Sequence, residues 1–333
     1  MLPEYWPTLD WKTCPPEEQG IDPRMVEKID AYARLPKAGG LYSLVVICNG
    51  YIVCERYFAG HGPQDGHQIK SVIKSIFSAL TGIAIKEGFI ESLDTPIYRY
   101  LPQYDQFEKQ PELKRITIRH VLTMSSGLYW QLGVHAHQPL VTRIVNSPDW
   151  TGTVLSLSLQ AKPGTKWAYK EADSMLISAI LHGATGKSAY EFARQYLLTP
   201  LGMQSPPWPA DPQGNSHNYA WISPGIALTG RSMAKLGYLF LKEGQWDGRE
   251  ILSPWYVRES WKPIYNTDWR QGKYGLMWWV KEGYYSANGW GGQAIAVHPA
   301  KNMVVVTQAE SDTRKSKEYD LIDAVIFPSV GFT

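Results

Sequence analysis

The chain has 333 residues, 44% of them hydrophobic and 19% charged, which is enough apolar matter to bury a large core and excludes a peptide, a small binding module or a disordered chain. Its 33 Lys and Arg against 31 Asp and Glu leave a formal charge of +2, so no global field draws it to nucleic acid or to an anionic membrane, and a small molecule is the expected partner. The 14 Trp and 20 Tyr are the sharpest departure from average composition; flat side chains in such number line apolar clefts as well as cores.

Read along the chain, Ile21 to Leu35 predicts an amphipathic helix. Two strands, Leu41 to Cys48 and Tyr51 to Phe58, follow around Asn49-Gly50, the strongest short hairpin signal. Val72 to Lys86 spaces Ile73, Phe77, Leu80 and Ile83 as a largely buried helix closed by Gly88. From Ser92 to about Gly230 strand signals fade and short helical patterns take over, at Ile118 to Met124, Ala172 to His182 and Ala189 to Leu198. Strand character returns in Tyr274 to Val280, Tyr284 to Ala287, Ala294 to His298 and Met303 to Gln308, before a closing helix from Glu318 to Ile326. The expected class is therefore α+β in two lobes: residues 1–90 and 230–333 build an antiparallel sheet flanked by helices, residues 91–229 form a mostly helical insert, and the active site lies between them.

No basic leader with an apolar stretch opens the chain, and no segment reaches the ~20 apolar residues of a membrane span. Cys14, Cys48 and Cys54 are too sparse for a disulfide framework. A regular hairpin pairs Cys54 with Val45 and puts Cys48 on the opposite face, so those two should not bridge. A cytoplasmic setting is the simplest expectation.

Ser71 and Lys74 stand three apart at the start of the second predicted helix, where the amine reaches the hydroxyl and the positive end of the helix favours charge developing on oxygen. An isolated S-x-x-K says little by itself, because an N-cap serine with a surface lysine has the same spacing. Ser232 and Lys235 repeat it and read as an ordinary helix start with a solvated lysine. Two downstream segments set Ser71 apart: Tyr169-Lys170-Glu171 in a turn leading into a helix, and Gly289-Trp290-Gly291-Gly292-Gln293 on the edge of a returning strand.

This order resembles the serine β-lactamase and penicillin-binding protein superfamily, with its S-x-x-K, Y-x-N and K-T-G motifs. Class C β-lactamase-like text extends the resemblance from residue 10 to near the end, in Ser71 to Ser75, Ile116 to Leu128, Pro200 to Met203 and Gly291 to Gln293. Two positions depart from the pattern: Glu171 stands where the family has Asn, and Trp290 where it has Lys. Family VIII carboxylesterases, commonly W-G-G at the third motif, and 6-aminohexanoate-dimer hydrolases, which share G-G-Q, are the more similar branches.

The resemblance implies a β-lactamase-like fold and an acyl-enzyme on Ser71. Lys74 and Tyr169 would share the proton traffic, with one of them deprotonated at rest, and the backbone N–H groups of Ser71 and Gln293 would form an oxyanion hole. Trp290, Gly291, Gly292, Glu171, Tyr129 and Trp130 are the expected substrate contacts, with Trp221 a further pocket candidate. The expected substrate is a small ester or amide, needing no cofactor and no metal. A β-lactamase or D-Ala-D-Ala peptidase keeps the mechanism and changes the substrate; a non-catalytic ligand-binding relative is the third reading. No G-x-S-x-G elbow, H-E-x-x-H or Gly-rich phosphate loop competes. His135 and His137 lack a third ligand at recognisable spacing, and His120 and His182 fall in helical patterns where structural roles are the default. Trp278 and Trp279 are adjacent, so at most one faces a given cleft.

Overall fold

Asn49 and Gly50 have φ of 51° and 94°, the pair of left-handed conformations that a tight hairpin turn demands, and they fold β1 (Leu41–Cys48) against β2 (Tyr51–Tyr57). The computed structural model describes residues 5–35, 40–130, 139–217, 225–310 and 318–331. Before the hairpin lies α1 (Arg24–Ala33), which starts after Pro23 instead of at Ile21, because Asp22 turns its carboxylate onto the Arg24 N–H and Ile21 pairs with Val330. After the hairpin come β3 (His67–Gln68) and α2 (Val72–Lys86). The next stretch carries α3 (Gln106–Lys109), α4 (Ile118–Leu122), α5 (Pro139–Val145), α6 (Trp150–Leu155), α7 (Glu171–Thr185) and α8 (Ala189–Ala193). A two-residue strand, β4 (Ala227–Leu228), pairs back to β3, and neither had a signal in the sequence.

Then come α9 (Gly230–Leu241), the small hairpin of β5 (Gln245–Trp246) and β6 (Arg249–Glu250), and α10 (Pro254–Ser260). The chain returns to the sheet with β7 (Lys273–Tyr274), β8 (Trp279–Lys281), β9 (Tyr284–Gly289), β10 (Gln293–His298) and β11 (Met303–Ala309), and closes with α11 (Glu318–Leu321) running into a π-helical turn, Ile322–Ile326. Seven strands pair antiparallel in the order β2-β1-β11-β10-β9-β8-β7, so the sheet is built from both ends of the chain.

Alternation along the central strands divides the core in two. Val45, Ile47, Ile295, Val297, Val304 and Val306 face α2, α9 and the helical stretch, while Leu44, Val46, Met303 and Val305 face α1 and the C-terminal turn.

Three expectations are corrected here. The single strand over Tyr274 to Val280 is broken, because Met277, at φ 58°, donates its N–H to Leu122 O at 2.9 Å and accepts the Ser75 hydroxyl at 2.6 Å. A register shift between Val46 and Ile47 sets Cys54 opposite Val46, not Val45. In consequence Cys48 and Cys54 share the outer core instead of facing apart; all three cysteines are free, and burial pushes the Cys48 and Cys54 thiols up to about 11. Among the described residues no helix is long and apolar enough to cross a membrane.

Candidate active site

The approach to Ser71 is held from both sides. Pairing of β3 with β4 and the Ile69 N–H bond to Ile226 O at 2.9 Å fix the segment, and Lys70 then takes φ 49°, an uncommon conformation for a residue with a side chain. Ser71 occupies the N-cap position of α2, yet its side chain makes no capping bond. Its Oγ instead accepts a hydrogen bond from Lys74 Nζ at 3.0 Å. Lys74 is only 3% exposed. Both halves of the capping-serine, surface-lysine reading thus fail at this site.

The turn before α7 brings the second motif to the same place, 97 residues on. Glu171 accepts from Lys74 Nζ through both carboxylate oxygens, at 3.0 and 2.8 Å. The resemblance assigned Glu171 to substrate contact; the structure engages both of its oxygens with Lys74. Lys74 Nζ also lies 5.1 Å from the centroid of the Tyr169 ring.

Behind this pair, Lys170 and Asp173 are buried together: Lys170 Nζ lies 3.5 Å from Asp173 Oδ2 and donates to Ser126 Oγ at 3.2 Å, while Ser126 Oγ donates to Asp173 Oδ1 at 2.6 Å. Successive residues therefore point to opposite sides, Tyr169 and Glu171 toward α2 and Lys170 into the protein. Lys170, Asp173 and Ser126 had no signal in the sequence, because the contact that joins them spans 44 residues.

Charge at the centre runs against expectation. Burial, the largest influence on Lys74, disfavours its ammonium, but the charges of Glu171 and Tyr169 and hydrogen bonds to both outweigh it, and its pKa stands above the ordinary lysine value. Burial raises the Tyr169 phenol, and the Lys74 charge with hydrogen bonds from Ser71 and Lys74 offsets this only in part. Both shifts run toward a charged Lys74 and a neutral Tyr169. These directions oppose the expected resting deprotonation of one of them, because Glu171 counters the effect of burial on Lys74.

The third motif lies where β9 ends and β10 begins. Trp290, Gly291 and Gly292 turn the chain between β9 and β10, both interior to the sheet, and the two glycines do so at φ of 85° and 100°. Thr307 Oγ1 anchors the turn on Gly292 O at 2.9 Å. A Cβ on Gly289 would stand 2.6 Å from Ile69 O and 3.0 Å from Lys70 Cβ, so the end of β9, paired with Gln293, presses on the residues immediately before Ser71. The Gln293 side chain is buried and donates to Ala309 O.

Among the aromatics, Trp290 is 39% exposed and Tyr129 is also exposed, whereas Trp130 is buried in the main core and walls no open surface. Trp278 packs on Phe240 and Tyr285, and Trp279 stacks on Tyr169 with centroids 5.8 Å apart, so only one of the adjacent pair reaches the site. Trp269, which no motif marks, is 42% exposed and covers both Tyr169, at 5.3 Å, and Trp279, at 5.6 Å. It extends an apolar wall beside the Tyr169 ring.

Lys235 of the second S-x-x-K is not solvated: it is 5% exposed and donates to Thr8 O and Gly202 O, each at 2.9 Å. It ties the N-terminal segment to the body of the protein, and Thr229, not Ser232, caps α9. His120 closes a capping box with Thr117, and His182 hydrogen-bonds Asn215 at 3.0 Å. His135, His137 and Trp221 lie outside the described residues; among the described residues no group of three His, Cys, Asp or Glu side chains could hold a metal.

The Beta-lactamase family model matches residues 30–325, and the chain belongs to that family. It is 23% identical over 294 residues to the 6-aminohexanoate-dimer hydrolase of Paenarthrobacter ureafaciens, covering 82% of this chain and 74% of that one. An uncharacterized protein of Alkalihalophilus pseudofirmus is 26% identical over 234 residues, a match spanning 63% of this chain and 61% of its relative. Penicillin-binding protein 4* of Bacillus subtilis (strain 168) is 26% identical over 137 residues, 38% of this chain and 27% of that protein.

Among solved structures, the octameric penicillin-binding protein homologue from Pyrococcus abyssi aligns with a TM-score of 0.71 at 19% identity, over 93% of this chain and 78% of that one. EstCE1, a hydrolase with promiscuous acyltransferase activity, aligns with a TM-score of 0.72 at 16% identity, over 91% and 97%. At such identities the likeness shows the fold, which is β-lactamase-like.

Proposed function

We propose that the protein is a serine hydrolase that forms an acyl-enzyme on Ser71 and acts on small neutral carboxylic esters, with linear amides as slower substrates. The observation that carries this reading is the Ser71 hydroxyl: it sits at a helix N-terminus, is not used as a cap, and lies 3.0 Å from a buried lysine amine. Attack by Oγ on the carbonyl carbon places negative charge on the carbonyl oxygen. The N–H groups of Ser71 and Gln293 are the proposed donors to it, supported by the close approach of the β9 end to Lys70. Tyr169 and Lys74 convey the proton from Oγ to the leaving group, and water then releases the acid by the same route.

The preference for neutral substrates is argued from charge. A substrate carboxylate would meet the Trp290 indole in place of a cation, and the nearby ammonium of Lys74 is already paired with Glu171, a cost of several kcal/mol where water is excluded. Trp290 and Trp269 offer apolar surface to an acyl or alcohol group. The names of relatives, an amide-dimer hydrolase and a hydrolase with acyltransferase activity, are compatible with acyl transfer to water.

A panel of short-chain nitrophenyl esters, linear amides and a chromogenic cephalosporin tests the proposal. The esters should show the highest kcat/KM, and Trp290→Lys should lower ester turnover while raising affinity for carboxylate-bearing substrates. Faster cleavage of the cephalosporin than of every ester would replace this reading by a β-lactamase or D-Ala-D-Ala peptidase. Binding of acyl ligands without any turnover would replace it by a non-catalytic relative.

A further inference from the structure

Lys74 is surrounded by few polar groups. At the N-cap of α2 it meets Ser71 Oγ, at the first residue of α7 both oxygens of Glu171, and in the turn before α7 Tyr169. Tyr274 on β7 feels the charges of Tyr169, Glu171 and Asp173. Lys170 and Asp173 are paired with each other on the buried side. The rings of Trp279 and Trp269 that pack on Tyr169 carry no charge. An ammonium has three N–H bonds, and here its hydrogen bonds go to Ser71 Oγ and to both oxygens of Glu171. A lysine in that state cannot take the Ser71 proton until it has passed one of its own to an acceptor. The carboxylate within 2.8 Å is that acceptor.

We propose that Glu171 is the proton-accepting end of a Ser71–Lys74–Glu171 relay, acting through Lys74 and not on the substrate. The inference rests on the assignment of Ser71 as nucleophile. In acylation the bond from Ser71 Oγ to the carbonyl carbon forms as the Oγ proton passes to Nζ and an Nζ proton passes to Glu171. When the carbonyl re-forms and the bond to the leaving alcohol breaks, Glu171 returns its proton to Nζ, and Lys74, with Tyr169 alongside, protonates the leaving oxygen. In deacylation water supplies the nucleophile and the proton, and the same transfers end with the Ser71 O–H restored. Each half-cycle starts and finishes with Lys74 protonated and Glu171 ionised. The carboxylate is 30% exposed on its side chain, against 3% for Lys74, so the relay leads from a buried amine toward solvent.

The test measures pre-steady-state acylation by a nitrophenyl ester across pH in the wild type, Glu171→Gln and Glu171→Asp, with thermal midpoints recorded alongside. Glu171→Gln should slow acylation at neutral pH by about 10²-fold or more. Its rate should then climb with alkalinity, because Lys74 without its anion must itself lose a proton to act. Glu171→Asp should retain the wild-type profile with a smaller loss. Equal rates and an unmoved profile in Glu171→Gln would overturn the relay while leaving Ser71 acylated and the functional reading intact. A parallel loss in both variants, with lowered midpoints and an unmoved profile, would assign Glu171 a purely structural role and overturn it as well. A wild type that is never acylated on Ser71 would remove the functional reading and the relay together.

Discussion

Lys74 Nζ lies 2.8 Å from Glu171 Oε2, so the residue two positions after Tyr169 forms an ion pair with the lysine three positions after Ser71. The pair is the reason that burial, which leaves Lys74 3% exposed, does not lower its pKa. Burial alone would lower the pKa of the amine, and a carboxylate with two hydrogen bonds outweighs that effect.

Because Ser71, Lys74 and Tyr169 share one proton path in the proposed mechanism, their contributions should not add. Lys74→Ala and Tyr169→Phe should each slow acylation by about 10²- to 10⁴-fold, and the double variant should be little worse than the slower single one. Stopped-flow acylation with a nitrophenyl ester checks this; an unchanged rate in Tyr169→Phe would leave the tyrosine as a packing residue under Trp279.

Much of the framework was legible because it is local. The Asn49-Gly50 turn, the apolar spacing of α2 and the three-residue interval from Ser71 to Lys74 each depend on neighbours within a few positions. What escaped depends on distant partners. Lys235 looked like a solvated lysine because its acceptors, Thr8 O and Gly202 O, are 227 and 33 residues away. The strand over Tyr274 to Val280 looked continuous because the ties that turn Met277 come from Leu122 and Ser75. The same holds at the site: the sequence placed Tyr169 and Glu171 in one motif, but only the fold shows that the acid meets Lys74 instead of lying open to a ligand.

The buried Lys170–Asp173 pair should be costly to break and cheap to replace. Lys170→Met leaves a carboxylate with no cation beside it in a site where burial already raises the pKa of Asp173, and should lower stability by about 3 to 5 kcal/mol. The double variant Lys170→Met/Asp173→Leu should recover most of that loss. Chemical denaturation of the three proteins at one pH decides it; equal stability of Lys170→Met and wild type would show that the pair does not hold the turn before α7.

Lys235 predicts a pH signature in stability. Burial lowers its pKa to about 8 from an ordinary 10.5. The folded protein therefore binds fewer protons than the unfolded chain between those values, and stability rises with pH across the window. Relative to Lys235→Met, the wild type should gain stability as pH climbs from about 8 toward 10.5, with a flat difference below pH 7. Thermal midpoints of both proteins across this range test the sign; a difference that shrinks as pH rises would contradict it.

The proposed chemistry requires a covalent bond to one serine. Ser71 and Ser232 form a matched comparison, since both precede a lysine by three residues and neither side chain caps its helix. Intact-protein mass spectrometry after a serine-directed phosphonate, followed by peptide mapping, should find one adduct, on Ser71, in the wild type and in Ser232→Ala. Ser71→Ala should stay unmodified and inactive with a nearly unchanged thermal midpoint. An adduct that persists in Ser71→Ala, or ester turnover near the wild-type rate in that variant, would contradict the account.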